Sequence, residues 1–296
     1  MRECYAAFVR RLIINADDLG LTEGINRGVA DVHARGIVTS TTLMADSPAF
    51  TSAIQLPSVA PNLSVGCHVV LIDGQPLQDP ARVCSLMGTS SRFRESLTRF
   101  AFDALKGNLR EEHIYDEAVA QFDKLKSAGI TPTHFDTHKH VHMFPKVLRP
   151  LLKAARDSGI RAVRNPFVPL KPLAFAHLVR RPKLWTRYSE VTLLRRYRED
   201  FRRAVADAGM VSPDGSFGIV VTGVLDQKLF EAIIGCIPEG TWEFVCHPGY
   251  LDTDLFETRT RLRKSREIEL QVLTSQAARK ALHKNGIDLI SYRQLD

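Results

Sequence analysis

Residues 133–142 read THFDTHKHVH. Four of the ten histidines in the chain, His134, His138, His140 and His142, stand there with Asp136 among them. Neutral imidazole nitrogens and carboxylate oxygens are common ligands of divalent metals, so the run suits a metal site. The alternative is a polar turn that is merely rich in imidazole. The local spacing does not decide which of these five residues bind.

Three further stretches carry residues of the same kind. In NADD, Asp17 and Asp18 are adjacent carboxylates, which repel when both are ionised. A dication relieves the repulsion by binding one and leaves the other as a base. Capping of the helix that follows is the simpler role for such a pair. His68 closes the run VGCH, and His247 stands in CHPGY. One Asp and two His make an open metal site in which water completes the coordination. Such an ion lowers the pKa of water and polarises a carbonyl. A carboxylate nearby then takes the proton, and a histidine on the opposite side returns one to a leaving amine. His247 suits the second task. Arg164, in VRNP, suits holding the catalytic Asp or steadying a developing oxyanion.

Seven apolar runs must position these groups: 11–18, 38–44, 63–68, 133–138, 160–166, 217–223 and 242–249. Most are apolar at consecutive positions, as in parallel strands buried on both faces. Helical patterns lie between them, at 23–35, 115–128, 145–158, 225–237 and 260–284, several ending at glycine. Strand alternating with helix implies a βα repeat. Asp17, Asp18, His68, Asp136, His138, Arg164, Thr222 and His247 all fall at or just past a strand's C-terminal end. In a closed βα barrel those ends converge on the active face. Segments 73–112 and 167–214 exceed ordinary βα loops and follow strand C-termini. Both are expected to overhang that face as lids or substrate-binding insertions on a single domain spanning 1–296.

With 44% hydrophobic and 25% charged residues over 296 positions, the chain can bury a full core. No apolar stretch reaches the roughly 18 residues that a membrane span needs. The N-terminus has no secretory pattern, so a cytoplasmic location is expected, with the inner membrane face as a peripheral variant. Five cysteines without a C-x-x-C argue against a disulfide framework and a structural zinc ribbon. Cys67 and Cys246 each neighbour a candidate histidine and should point the opposite way, into the core. The net charge is +7, and segment 178–203 holds nine basic against three acidic residues. That segment is a solvated helix face or a surface for phosphate or anionic lipid. No nucleic-acid module is present, so no nucleic-acid partner is expected.

The motifs NADDLGLTEGINRGV, GIVTSTTLM, VGCHVVL, PTHFDTHKHVHMFP, VRNP and FVCHPGY together resemble the YdjC-like carbohydrate deacetylase family. REIELQVLTS and GIDLISYRQL extend the resemblance to nearly the whole chain. It implies a distorted seven-stranded (β/α) barrel of the polysaccharide-deacetylase type. It also implies metal-dependent removal of acetyl groups from N-acetylated sugars, of chitooligosaccharide or lipid-linked N-acetylglucosamine type. A different amide or ester substrate on the same scaffold is the alternative. Carried onto this chain, the metal ligands are Asp18, His68 and His138, the base is Asp17 and the acid is His247. Asp136, His140 and Thr222 become second-shell or substrate-contacting residues, and His134 and His142 structural ones. One divalent ion is implied, zinc first, with Mg, Mn, Co and Ni as alternatives. A homodimer is expected by analogy with the family. The long basic insertion is closer to a subgroup associated with hopanoid lipid biosynthesis. That suggests peripheral membrane or glycolipid contact through 178–203.

Overall fold

The computed structural model describes residues 9–88, 91–169 and 182–296. Part of the basic segment, 178–181, thus lies outside the described residues. Seven parallel strands run around a curled sheet in the order β5-β4-β3-β2-β1-β7-β6. They are β1 (Arg10–Leu19), β2 (Ser40–Leu43), β3 (Ser64–Val69), β4 (His134–Thr137), β5 (Ala162–Val163), β6 (Ser216–Phe217) and β7 (Gly240–Cys246). Between β5 and β6 the ring is closed by isolated contacts instead of a ladder. Ala162 bridges Val211, and the Ser216 N–H donates to the Phe167 carbonyl at 3.1 Å. The result is a distorted (β/α) barrel.

Strand alternation sorts the residues of β1 into two environments. Leu12, Ile14 and Ala16 join the main apolar cluster between sheet and helices, together with Cys67 and Cys246. Ile13 instead packs with Ala162 and Tyr292 in a small separate cluster that plugs the barrel interior. Above that plug the interior turns polar. Asn15, Asp17, Thr42, His68, His134, Asp136, Arg164 and Glu243 are all buried there. The helices cover the outside by ordinary amphipathic rules. Glu23–Ala34 is capped by Thr22, whose hydroxyl accepts from the Ile25 N–H, and buries Ile25, Val29 and Val32. Pro145–Asp157 has Pro145 at its first turn, where a missing N–H costs nothing, and buries Leu148, Leu151, Leu152 and Ala155.

Three elements depart from the sequence reading. The run 217–223 is β-branched, yet only Ser216–Phe217 is strand. Gly218 adopts φ 89°, and the chain then makes the 3-10 turn Ile219–Val221. A Cβ at Gly218 would also collide with the Val245 backbone. Local propensity therefore yields to a turn that only glycine permits. The helix expected over 260–284 is two helices, Lys264–Thr274 and Gln276–Lys284. Ser275 between them is extended and caps the second by accepting from the Ala278 N–H at 3.0 Å. The third departure is an additional strand, β8 (Ile287–Ile290), which pairs with Arg10–Ile13 of β1. It places Tyr292 beneath the polar interior.

Segment 73–112 folds back on itself, with Met87 bridging Phe93 and the Asp73 N–H donating to the Arg94 carbonyl. It carries the helix Leu97–Lys106. Asp73 receives Lys139 Nζ at 2.6 Å, which ties this segment to the loop after β4.

Gly66 of β3 faces His134 so closely that an added Cβ would lie 2.5 Å from the imidazole. Gly66→Ala should therefore cost about 1–3 kcal/mol by overpacking, read as a lower urea midpoint. An unchanged midpoint would mean that the ring moves aside freely.

Candidate active site

β1 and β2 slip register at the end of β1. Ala16 pairs with Thr41 but Leu19 with Leu43, so β1 spends one extra residue there. Asp18 sits at that bulge with φ 69°. A bulge re-aims a side chain, and a left-handed non-glycine residue is held only where its surroundings require it. Regular alternation would send Asp17 inward and Asp18 outward. The bulge lets both carboxylates reach the site.

Asp18 Oδ1 lies 3.5 Å from His68 Nε2 and 3.7 Å from His138 Nδ1, and those two nitrogens are 3.3 Å apart. Tetrahedral ligands at zinc-type bond lengths stand about 3.3 Å from one another, so these donors fit a divalent ion. His68 Nδ1 is hydrogen-bonded to Asp136 Oδ1 at 2.7 Å, which orients Nε2 toward the cluster. Burial disfavours a charged His68, but Asp136 outweighs it and lifts the pKa to about 9. That proton must leave for an ion to bind. Asp18 Oδ2 accepts from Arg266 Nη2 at 2.5 Å. Burial alone would raise the Asp18 pKa, yet Arg266 outweighs it and the group stays well below the ordinary range. A second trio, Asp17, His68 and Asp136, is also compact enough to share an ion. Two of its three members are already neutralised by Arg164.

Arg164, fully buried just past β5, joins those carboxylates. Nη1 and Nη2 donate to the two oxygens of Asp17 at 2.8 and 2.6 Å, a bidentate pair. Nε donates to Glu243 Oε1 at 2.9 Å, and Nη1 also meets Asp136 Oδ2. Asn15 Nδ2 adds a bond to Asp17 Oδ1 at 2.9 Å. Burial would raise the Asp17 pKa, but the guanidinium holds it well below the ordinary carboxylate range. Burial prevails at Glu243 and pushes it up. His247 brings Nε2 to 3.9 Å from Asp17 Oδ2. Its backbone N–H donates to Glu269 Oε2 at 2.6 Å.

The histidine run divides by task. His138 joins the ligand cluster. His134 is buried, stacks on Tyr292 with ring centroids 3.6 Å apart, and bonds Asn15 Oδ1 at 3.2 Å. His142 bonds the Arg164 carbonyl through Nε2 at 3.1 Å and the Thr137 hydroxyl through Nδ1 at 2.6 Å. A carbonyl only accepts, so His142 carries a proton on Nε2, and burial disfavours a second one on Nδ1. Lys139 and His140 take positive φ, 57° and 55°, and bend the chain between them. His140 Nδ1 is buried and has no hydrogen-bond partner among the described residues. Thr222 follows a 3-10 turn instead of ending a strand, and its hydroxyl is engaged with the Gly218 carbonyl at 3.3 Å.

The YdjC-like protein family model matches residues 11–284. The chain belongs to the YdjC-like protein family. Among its relatives, a carbohydrate deacetylase from Brevibacillus brevis is 31% identical over 96% of this chain and 99% of its own length. One from Vibrio parahaemolyticus is 30% identical over 96% of each. A proposed cellobiose-phosphate cleavage protein from Enterococcus faecalis superposes with a TM-score of 0.76. It is 26% identical, with 96% of this chain and 98% of that one covered.

The sequence reading overlooked Asn15, Glu243 and Arg266. Alternation could have found the first two. Asn15 shares a strand face with Asp17, and Glu243 shares one with His247. Arg266 carries no such signal, since it comes from a helix 248 residues beyond Asp18.

Burial lowers the His142 pKa from 6.5 to about 3. The unfolded chain therefore binds a proton between those values that the folded chain refuses, and stability should rise with pH through that window. In His142→Gln, the unfolding free energy should climb less steeply between pH 4.5 and 6.5, by up to one proton. Equal slopes in urea titrations of both proteins would contradict a buried neutral His142.

Proposed function

We propose that this chain is a metal-dependent carbohydrate deacetylase that hydrolyses the acetamide of an N-acetylated sugar. The observation that carries this reading is the three-donor cluster of Asp18, His68 and His138 beside a separately held carboxylate, Asp17. The names of the relatives favour the same chemistry. Asp18, His68 and His138 would hold the ion, which would supply Lewis acidity to a carbonyl oxygen and to water, and zinc suits the donor set. Asp17 takes the proton of the attacking water, kept ionised and aimed by Arg164 and Asn15. The water oxygen bonds to the acetyl carbon, the C–N bond breaks and acetate leaves. His247 delivers a proton to the departing amine. Asp136 keeps His68 turned toward the ion. His140, whose Nδ1 has no partner among the described residues, and the pair Lys139–Asp73 are proposed contacts to the sugar.

Zinc-reconstituted protein should release acetate from at least one of N-acetylglucosamine, diacetylchitobiose, longer chitooligosaccharides or lipid-linked N-acetylglucosamine. Chelator-stripped protein should not. Asp17→Asn should retain zinc and lose about 10²–10⁴-fold in turnover. Metal binding at one ion per chain without acetate from any of these would instead favour another amide or ester substrate.

A lipid-borne substrate is the second reading, and a surface feature favours it. The helix Pro182–Leu194 exposes Trp185 (42%) and Leu193 (63%), and Arg196, Arg202 and Arg203, which follow it in the chain, are also exposed. Exposed apolar side chains in a segment rich in cations suit an anionic membrane surface. Co-sedimentation with anionic vesicles should exceed that with neutral ones and fall on charge reversal of these three arginines. Equal sedimentation with both vesicle types would remove this reading. Among the described residues no helix is long and apolar enough to cross a membrane.

A further inference from the structure

Arg266 lies on the helix Lys264–Thr274 and is 1% exposed. Nη2 donates to Asp18 Oδ2 at 2.5 Å and Nε donates to the Leu262 carbonyl at 3.1 Å. Nη1 is buried with no partner among the described residues. A guanidinium buried with one terminal nitrogen unsatisfied is a poor way to fill space, and an apolar side chain would do that better. Its helix is nevertheless fastened to the active face. The Gly249 N–H donates to the Arg266 carbonyl at 3.4 Å, and Glu269, one turn on, receives the N–H of His247. The two first ligands are thus backed by opposite charges. A carboxylate, Asp136, stands behind His68 and strengthens it as a donor. A cation stands behind Asp18 and weakens it.

We propose that Arg266 is a positioning residue that makes Asp18 a one-oxygen, weakened ligand, so that the divalent ion is held loosely and keeps its polarising power. This rests on the metal-dependent reading above. With Oδ2 occupied by Nη2, Oδ1 alone faces His68 and His138. With the Asp18 charge already balanced, an incoming dication is less neutralised by its ligands. Removing the guanidinium frees Oδ2 and leaves Asp18 unbalanced, so the ion binds more tightly and polarises a carbonyl less.

The test uses Co²⁺ as the probe on full-length protein. Its affinity is measured against a competing chelator and its visible absorption recorded, with kcat and KM taken at saturating Co²⁺. Arg266→Met should bind Co²⁺ about tenfold more tightly, the size typical of changes behind a ligand. Its visible bands should weaken as a second oxygen joins the ion. Its kcat should fall about 10–100-fold with KM changed little, the mark of an interaction made in the transition state. Arg266→Gln keeps a donor for Oδ2 without the charge. It should raise affinity with the bands unchanged, and it carries the test if the Met variant does not fold. Arg266→Lys, which keeps the charge, should recover wild-type affinity and part of the lost kcat. Unchanged or weaker Co²⁺ binding in the neutral variants, with activity restored by added Co²⁺, would overturn the proposal. A wild-type chain that binds no Co²⁺ would overturn the metal reading and this inference together. Co²⁺ binding without acetate release would count against the substrate alone, and the affinities would still decide the role of Arg266.

Discussion

The structure depends on one buried cation. Arg164 stands inside the barrel and its guanidinium remains protonated at any pH the fold survives. In so dry a place it must be met by carboxylates, and Asp17, Asp136 and Glu243 converge on it. Stripping a buried charge of its partner costs about 3–5 kcal/mol, so this arrangement is held firmly. Two of the three carboxylates also border the candidate metal site. The electrostatic demand that closes the barrel interior is therefore the same one that arranges the chemistry.

The three carboxylates are not equivalent. Asp17 takes both terminal nitrogens of Arg164 and is held in its charged form. Glu243 lies deeper, where burial pushes its pKa up, and its second oxygen accepts from Tyr292 and Ser216 hydroxyls. Asp136 is shared between Arg164 and His68. A site built this way offers one charged, oriented carboxylate and uses the others as supports. The order follows depth and hydrogen bonding, since all three are ordinary acids in water.

Around the mouth the backbone is set in unusual conformations. The non-glycine residues with positive φ among those described are Asp18, Asp73, Lys139 and His140. Asp73 and Lys139 form an ion pair, and Asp18 and His138, next to Lys139, belong to the donor cluster. Such conformations concentrate where the surroundings over-determine the chain. Here they turn side chains toward a common centre that regular strand ends would have pointed away from it.

Much of the fold was legible in the amino-acid sequence. Consecutive apolar runs alternating with helical patterns specify a parallel βα barrel, because each strand must be covered on both faces. The placing of Asp17, Asp18, His68, Asp136, Arg164 and His247 near strand ends then locates a polar face. The failures were local and physical. Gly218 overrode the β-propensity of the residues after it, and Ser275 broke a helix by capping a new one. The four histidines look alike in sequence, but their surroundings separate them: His138 meets Asp18, while His134 and His142 are held neutral by burial and by the nearby Arg164 cation. Arg266 had no signature at all. Residue type and strand period are properties of short stretches, so the sequence by itself determined the barrel and the kinds of group at its mouth. Which carboxylate faces which cation depends on distances between residues far apart along the chain, and only the tertiary structure decided that.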